Sequence, residues 1–148
     1  MKSQKKCAGI LYSDGKSILL LKRSTKGDHF AKWSIPGGKV ESGENIVSAA
    51  ERESKEETGY QGGQKYGHYE DDGPRYVFHT YFYAVKKPFA VKLSDEHSEF
   101  KWVPIENVLD YDLHPRFKIK WPHFLNKIKK HVPKVVSFIE WIESKSFE

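Results

Sequence analysis

The sequence predicts an α/β fold in which helices cover both faces of a mixed β-sheet, a three-layer α/β/α sandwich. Two observations support this prediction: strand-like and helix-like segments are mixed along the chain, and one strand is apolar or aromatic on both faces. A strand of that kind lies inside a sheet that is covered on both sides. The length of 148 residues is typical of one domain, so we expect residues 1–148 to form a single domain.

The chain is expected to open with a β-hairpin. Residues 6–12 (KCAGILY) and 17–23 (SILLLKR) have strand-like composition, and the Asp14-Gly15 pair between them is a strong turn signal. Residues 33–38 (WSIPGG) follow as a loop or a short strand, because a proline and paired glycines impose a special backbone path.

A helix is predicted from about Asn45 to Thr58. Asparagine is a good N-cap, since its side chain accepts hydrogen bonds from the first free backbone N–H groups of a helix. Gly59 lies where helices often end in the left-handed conformation. This helix is the element on which the functional prediction depends.

Two further strands are predicted downstream. Residues 75–85 (RYVFHTYFYAV) form the strongest strand in the sequence, and both of its faces are apolar or aromatic. Residues 99–103 (EFKWV) form a shorter strand, after which Pro104 opens a helical turn that reaches Leu109.

The end of the chain is expected to hold two helices, at about 117–131 and 134–146, separated by Pro133. The first is rich in lysine: Lys118, Lys120, Lys127, Lys129 and Lys130. Such a surface attracts a polyphosphate or RNA, or is simply the solvated face of a helix, and we favour the second interpretation.

The composition is that of an ordinary globular protein, with 38% hydrophobic and 30% charged residues. The single cysteine, Cys7, excludes an internal disulfide and fits a reducing compartment. No apolar segment approaches the roughly 20 residues of a membrane span. We therefore expect a cytoplasmic protein without membrane contact, either a monomer or a homodimer. The net charge of +5 alone hints at a polyanionic partner.

The predicted helix is unusually acidic between residues 51 and 57. On a helical wheel Glu51 shares the solvent face with Lys55, whereas Glu53, Glu56 and Glu57 share another face. Like charges at this spacing repel by a few tenths of a kcal/mol per pair. Hard divalent cations such as Mg²⁺ take oxygen ligands, so the three carboxylates form either a solvated acidic face or a metal site.

The residues around these glutamates resemble a known family signature. Gly38, Glu44 and residues 52–60 (RESKEETGY) match the Nudix box, G-x5-E-x7-R-E-U-x-E-E-x-G-U, in which U is a bulky apolar residue. All seven fixed letters are present between Gly38 and Tyr60. Two positions that are bulky and apolar in the signature carry other residues here, Ser54 and Tyr60. Ser54 is expected to face the core and to bond a backbone carbonyl one turn back, and Tyr60 either packs or places a ring near the site.

The resemblance implies a Nudix-type fold and Mg²⁺-dependent hydrolysis of a pyrophosphate bond in a nucleoside diphosphate joined to another group, with Mn²⁺ as an alternative ion. It also implies that Glu53, Glu56 and Glu57 are metal ligands. The Gly38 carbonyl is a further candidate ligand, because a glycine backbone can approach a metal or phosphate closely.

The resemblance assigns catalytic roles as well. Arg52 would orient a catalytic carboxylate, and Glu44 would act in the loop or near the metal. The proton acceptor for the attacking water would be one of the box glutamates, Glu53, Glu56 or Glu57, or a later glutamate.

The later glutamate lies before the tryptophan-containing strand. Glu96 is the preferred candidate for this glutamate, with Glu99 as the alternative. Each of them is also explained as an ordinary acidic residue of a surface loop. His97 is expected to be structural or solvated.

Four residues are expected to bind substrate: Arg23, Lys39, Tyr76 and Phe78. Arg23 and Lys39 would contact phosphate, although Arg23 is equally well explained as an exposed charge at a strand end. Tyr76 and Phe78 would stack on a base. The position of Tyr76 after the box resembles the dinucleoside polyphosphate hydrolases, and nucleoside triphosphates and ADP-ribose compounds stay open as substrates.

Two other functions stay open: a catalytically silent nucleotide sensor and an RNA-processing Nudix protein. The complete set of box residues argues against a sensor, since a pure binder does not need it. The RNA role rests only on the basic tail, so we expect a small nucleotide as partner and no nucleic acid.

Overall fold

A computed structural model describes residues 5–24 and 31–146, with side chains described up to residue 131. Helix α1 covers Ile46–Thr58, a 3₁₀ helix covers Ile105–Asp110, and helix α2 covers Pro115–Ser146. The described strands are β1 (Lys5–Ser13), β2 (Ser17–Arg23), β3 (Trp33–Ser34), β4 (Gly37–Lys39), β5 (Gln64–Asp72), β6 (Tyr76–Ala84) and β7 (His97–Pro104).

The strands form one mixed sheet in the order β3-β2-β1-β6-β5. In addition, β4 pairs with β1 and β7 pairs with β2. The pairing of β1 with β6 is parallel, and the other pairings are antiparallel. The predicted mixed sheet with helices on both faces is therefore confirmed.

The predicted hairpin is confirmed, but its two strands pair over only a short stretch. The side chain of Asp14 accepts hydrogen bonds from the backbone N–H groups of Lys16 and Ser17 and so holds the turn. β1 and β2 then pair only where Ser13 lies opposite Ile18. The physical reason is competition for one strand edge, because β4 takes the edge of β1 that a longer hairpin would give to β2.

Strand β6 lies inside the sheet, between β1 and β5, as its apolar faces predict. Phe82 points to the side covered by α2, whereas Tyr81 and Tyr83 point to the side covered by α1. The two sides of the sheet thus build two separate hydrophobic cores.

Helix α1 has the predicted ends. The Asn45 side chain accepts hydrogen bonds from the backbone N–H groups of Val47 and Ser48, and Gly59 adopts the left-handed conformation with φ of 74°. Ala49 and Ala50 are fully buried against the sheet. Caps and small apolar residues therefore fix the position of the acidic face.

Ser54 faces the core, as predicted, but its partner is different. Its hydroxyl lies 2.6 Å from the hydroxyl of Tyr12 on β1, and both side chains are buried. Tyr60 packs away from the carboxylates, with its ring stacked on Phe89 at 3.6 Å between centroids. Both departures from the box are thus explained by packing.

Helix α2 corrects the prediction of two tail helices separated at Pro133. One helix covers both segments. A proline removes one backbone N–H donor and disfavours a helix locally, but it does not forbid its continuation, and Pro122 lies within the same helix. One face of α2 packs on the sheet through Phe117, Trp121, Phe124 and Ile128. Among the described residues, no helix is long and apolar enough to cross a membrane.

Candidate active site

The acidic face of α1 packs against the backbone of β4. The backbone N–H of Gly37 donates a hydrogen bond of 3.1 Å to Oε1 of Glu57. A Cβ atom on Gly38 would overlap the carboxylate of Glu53, so a larger residue at this position would have to displace that carboxylate. The paired glycines therefore bring the main chain directly onto two carboxylates of the box.

Glu57, Glu96 and His97 form a cluster at one end of β7. One ligand atom from each lies within 4.8 Å of the others. The His97 side chain is 7% exposed, and its Nδ1 atom lies 3.3 Å from Oε2 of Glu57 without a hydrogen-bond partner in the described structure. His97 was expected to be structural or solvated, and its burial excludes the solvated alternative.

Burial controls the protonation of this cluster. It raises the pKa of Glu57 to about 9, and the neighbouring charges of Glu53 and Glu96 add to the effect. Burial, followed by the nearby charge of Arg23, lowers the pKa of His97 to about 4. Burial also raises the pKa of Glu53. A cation would offset the repulsion among these carboxylates.

Arg52 connects the carboxylates to the loop before α1. Its Nε and Nη2 atoms donate to the two oxygens of Glu44, at 2.7 and 3.0 Å. Its Nη1 atom donates to Glu53 at 3.0 Å and lies 3.3 Å from Glu56, while Nη2 also donates to the carbonyl of Lys39. Hydrogen bonding to Arg52 lowers the pKa of Glu44 to about 2.

The remaining acids lie in different surroundings. The Glu56 side chain is 58% exposed and meets Arg52 at the outer side of the cluster. Glu99 forms an ion pair with Lys22 at 3.2 Å, which leaves Glu96 as the later glutamate beside Glu57. Glu51 is not simply solvated, because it accepts a hydrogen bond of 2.7 Å from the hydroxyl of Tyr83.

A cavity of about 510 Å³ adjoins the acidic cluster. All four expected substrate-binding residues line it, namely Arg23, Lys39, Tyr76 and Phe78. Gly37 and His97 line it too, so the cavity reaches two residues that contact Glu57, although no glutamate is among its described lining residues. Sequence reasoning missed Arg116, whose guanidinium lies 4.6 Å from the centroid of the Phe78 ring and covers it.

The family is decided by a match to the NUDIX domain over residues 3–123. The chain belongs to the Nudix hydrolase family. The predicted family and the predicted class of enzyme, a Nudix pyrophosphohydrolase, are thereby confirmed.

Two relatives show the extent of sequence similarity between this chain and other Nudix proteins. The nucleoside triphosphatase NudI of Escherichia coli is 29% identical over 118 residues, which cover 70% of this chain and 84% of NudI. A nucleoside triphosphate pyrophosphatase/Nudix hydrolase fusion protein of Bifidobacterium longum is 34% identical over 102 residues. The match covers 65% of this chain but only 21% of that larger protein.

Solved Nudix structures share the fold. The Nudix hydrolase RenU from M. smegmatis superposes with a TM-score of 0.77 at 21% identity, over 88% of this chain and 89% of RenU. The MutT protein of Methanosarcina mazei Go1 gives a TM-score of 0.69 at 28% identity, over 85% of this chain and 96% of that protein. The α/β Nudix fold is thus confirmed.

Proposed function

We propose that this protein hydrolyses a pyrophosphate bond in a nucleoside diphosphate joined to another group, with a divalent cation held beside Glu57. One observation carries the proposal: His97 belongs both to the cluster with Glu57 and Glu96 and to the lining of a cavity that holds several basic side chains. Carboxylates bind a cation, and basic side chains bind the phosphates that the cation must contact.

The residues of the cluster fit a hard divalent cation. Buried carboxylates repel one another here, and the buried Nδ1 of His97 lacks a hydrogen-bond partner among the described residues. Glu57 and Glu96 would hold the ion together with His97, and Glu53 and the Gly38 carbonyl are the further ligands that we propose. The nitrogen ligand is a reason to test Mn²⁺ beside Mg²⁺. When bound, such a cation neutralises phosphate charge and lowers the pKa of a coordinated water.

The chain's own residues would perform the other tasks. Arg52 holds Glu53 and Glu56 in place, and Gly37 fixes the orientation of Glu57 through its N–H group. Arg23 and Lys39 line the cavity and would bind phosphate oxygens. Glu96 is the exposed member of the cluster, so we propose that it accepts the proton of the attacking water.

A substrate panel tests the proposed function. Nucleoside triphosphates come first because the similar NudI is named a nucleoside triphosphatase, and dinucleoside polyphosphates and ADP-ribose follow. With Mg²⁺ or Mn²⁺, chromatography should detect a nucleoside phosphate and a second phosphorylated product. Glu57→Gln should abolish turnover, whereas Glu106→Gln, at an exposed acid of the 3₁₀ helix, should not. The proposal fails if no substrate is hydrolysed or if Glu57→Gln keeps the full rate.

A further inference from the structure

The cavity holds a second group of basic side chains, away from the carboxylate cluster. Arg116 and Lys120 of α2 line the cavity, as does Arg75 from the turn between β5 and β6. Arg23, Lys32 and Lys39 line it as well, whereas Asp71 is the one aspartate or glutamate in the described lining. Basic side chains therefore predominate in the described lining of the cavity, although Lys32 is paired with Asp112 at 2.7 Å.

The strand register separates the two basic groups. Lys39 of β4 lies opposite Cys7 of β1, Cys7 lies opposite Phe78 of β6, and Phe78 lies opposite Asp71 of β5. Lys39 and Phe78 are thus two strands apart, about 10 Å at a spacing of ~4.8 Å per strand. Since the Arg116 guanidinium lies over the ring of Phe78, it is placed over a different strand from the one that carries Lys39.

Asp71 fixes the second group without neutralising it. Its carboxylate lies 2.8 Å from Nη2 of Arg116, which also donates through Nε at 3.1 Å, and 3.7 Å from Nζ of Lys120. Two cations thus share one carboxylate, which leaves a local excess of about one positive charge. The Asp71 side chain is 12% exposed, while those of Arg116 and Lys120 are 30% and 26% exposed. The cations therefore stay accessible to a ligand.

Building on the proposed function, we propose that Arg116 and Lys120 form a second phosphate subsite. It takes a phosphate of the substrate other than the two joined by the scissile bond. The substrate class is then a nucleotide with an extra phosphate, either a monoester on its sugar or a terminal phosphate of a longer chain. The ring of Phe78 serves here as the support for Arg116, because the guanidinium occupies the face on which a base would stack.

Matched substrate pairs test this subsite. NAD⁺ with NADP⁺, and dephospho-coenzyme A with coenzyme A, differ by one sugar phosphate, whereas a nucleoside diphosphate and triphosphate differ at the chain end. The readout is the ratio of kcat/KM between the two members of each pair. The sugar-phosphate pairs form one arm of the experiment, and the nucleoside diphosphate and triphosphate form the other. For the wild type we expect a ratio of about ten or more in favour of the phosphorylated member in one of the two arms, mainly because its KM is lower. For Arg116→Gln we expect a ratio near one in the same arm.

Control variants separate the subsite from folding and general charge effects. Lys120→Gln should lower the same ratio even if Arg116→Gln folds poorly, and Lys118→Gln, at an exposed lysine of α2, should leave it unchanged. Equal ratios in the wild type and both subsite variants, in both arms, would overturn the proposal. If no pair is hydrolysed, calorimetry measures the binding of the same pairs instead. The subsite is supported if the wild type binds the phosphorylated member more tightly and Arg116→Gln abolishes this preference. It is refuted if the wild type binds both members equally.

Discussion

Arg52 is the side chain that ties the acidic face of α1 to the rest of the site. It binds both oxygens of Glu44 and reaches Glu53, Glu56 and the carbonyl of Lys39. A guanidinium can serve several acceptors at once because its donors lie in a rigid planar fork. The family signature therefore carries an arginine at this position for a geometric reason that is visible in the contacts.

Replacing Arg52 with lysine should slow catalysis more than it harms folding. An ammonium group cannot reproduce the paired bonds to Glu44 while holding Glu53, so we expect kcat to fall by about 10- to 100-fold. Steady-state kinetics and thermal unfolding measure the two effects. Glu41→Gln is the matched control, because Glu41 is 74% exposed and lies 4.0 Å from Arg52. An unchanged kcat in Arg52→Lys would contradict the positioning role.

Glu57 should make the metal-free protein less stable as the pH rises. Burial raises its pKa from 4.5 to about 9, so the folded state binds more protons than the unfolded state between these values. Stability from the protonated carboxyl is thus fully present below about pH 4.5 and is lost as the pH rises through about 9. With EDTA present at pH 8, the free energy of unfolding of Glu57→Gln should exceed that of the wild type by roughly 1–3 kcal/mol. Its Tm should accordingly be several degrees higher.

The comparison at low pH provides the control for this prediction. Near pH 4.5 the wild-type carboxyl is protonated and resembles the amide, so the difference in Tm should shrink toward zero. A difference that is constant from pH 4.5 to 8 would show that packing, and not protonation of Glu57, distinguishes the two proteins.

At the scale of elements, α1 is joined to the sheet by a buried polar contact. The hydroxyl groups of Tyr12 on β1 and Ser54 on α1 lie 2.6 Å apart. Each satisfies the other in an apolar layer, and burial raises the pKa of Tyr12 to about 12. Removing one partner leaves a buried polar group unpaired, which costs more than removing both.

A double-mutant cycle should therefore show coupling between Tyr12 and Ser54. We expect Ser54→Ala alone to lower the free energy of unfolding by about 1–3 kcal/mol, and Tyr12→Phe in that background to cost less than Tyr12→Phe in the wild type. Denaturant titration of the four proteins gives the coupling energy. Additive changes would mean that the two hydroxyls contribute independently.

For the whole molecule, the acidic cluster predicts a dependence of stability on divalent cations. A ligand that binds only the folded state stabilises it by about 2.7 kcal/mol at 100 times its Kd. Mg²⁺ or Mn²⁺ should therefore raise Tm by several degrees in a saturable manner at pH 8. Glu57→Gln should lose most of the shift, and Glu106→Gln should keep it. An equal shift in Glu57→Gln would place the cation elsewhere.

Local signals in the sequence were sufficient for much of this protein. The box residues, the capped helix from Asn45 to Gly59 and the doubly apolar strand at 75–85 were all predictable from short segments. Each depends on neighbours within a few residues, such as a cap, a helical face or an alternating pattern. The same locality explains why the face shared by Glu53 and Glu57 was predicted.

Only the tertiary structure decided which distant segments meet. The parallel pairing of β1 with β6, the place of His97 beside Glu57 and the position of Arg116 over Phe78 join residues that lie far apart in the chain. No local periodicity encodes such contacts, because they follow from strand order and from the packing of α2 across the sheet. The sequence alone therefore determined the family and its acidic helix, whereas the shape and charge of the cavity required the folded chain.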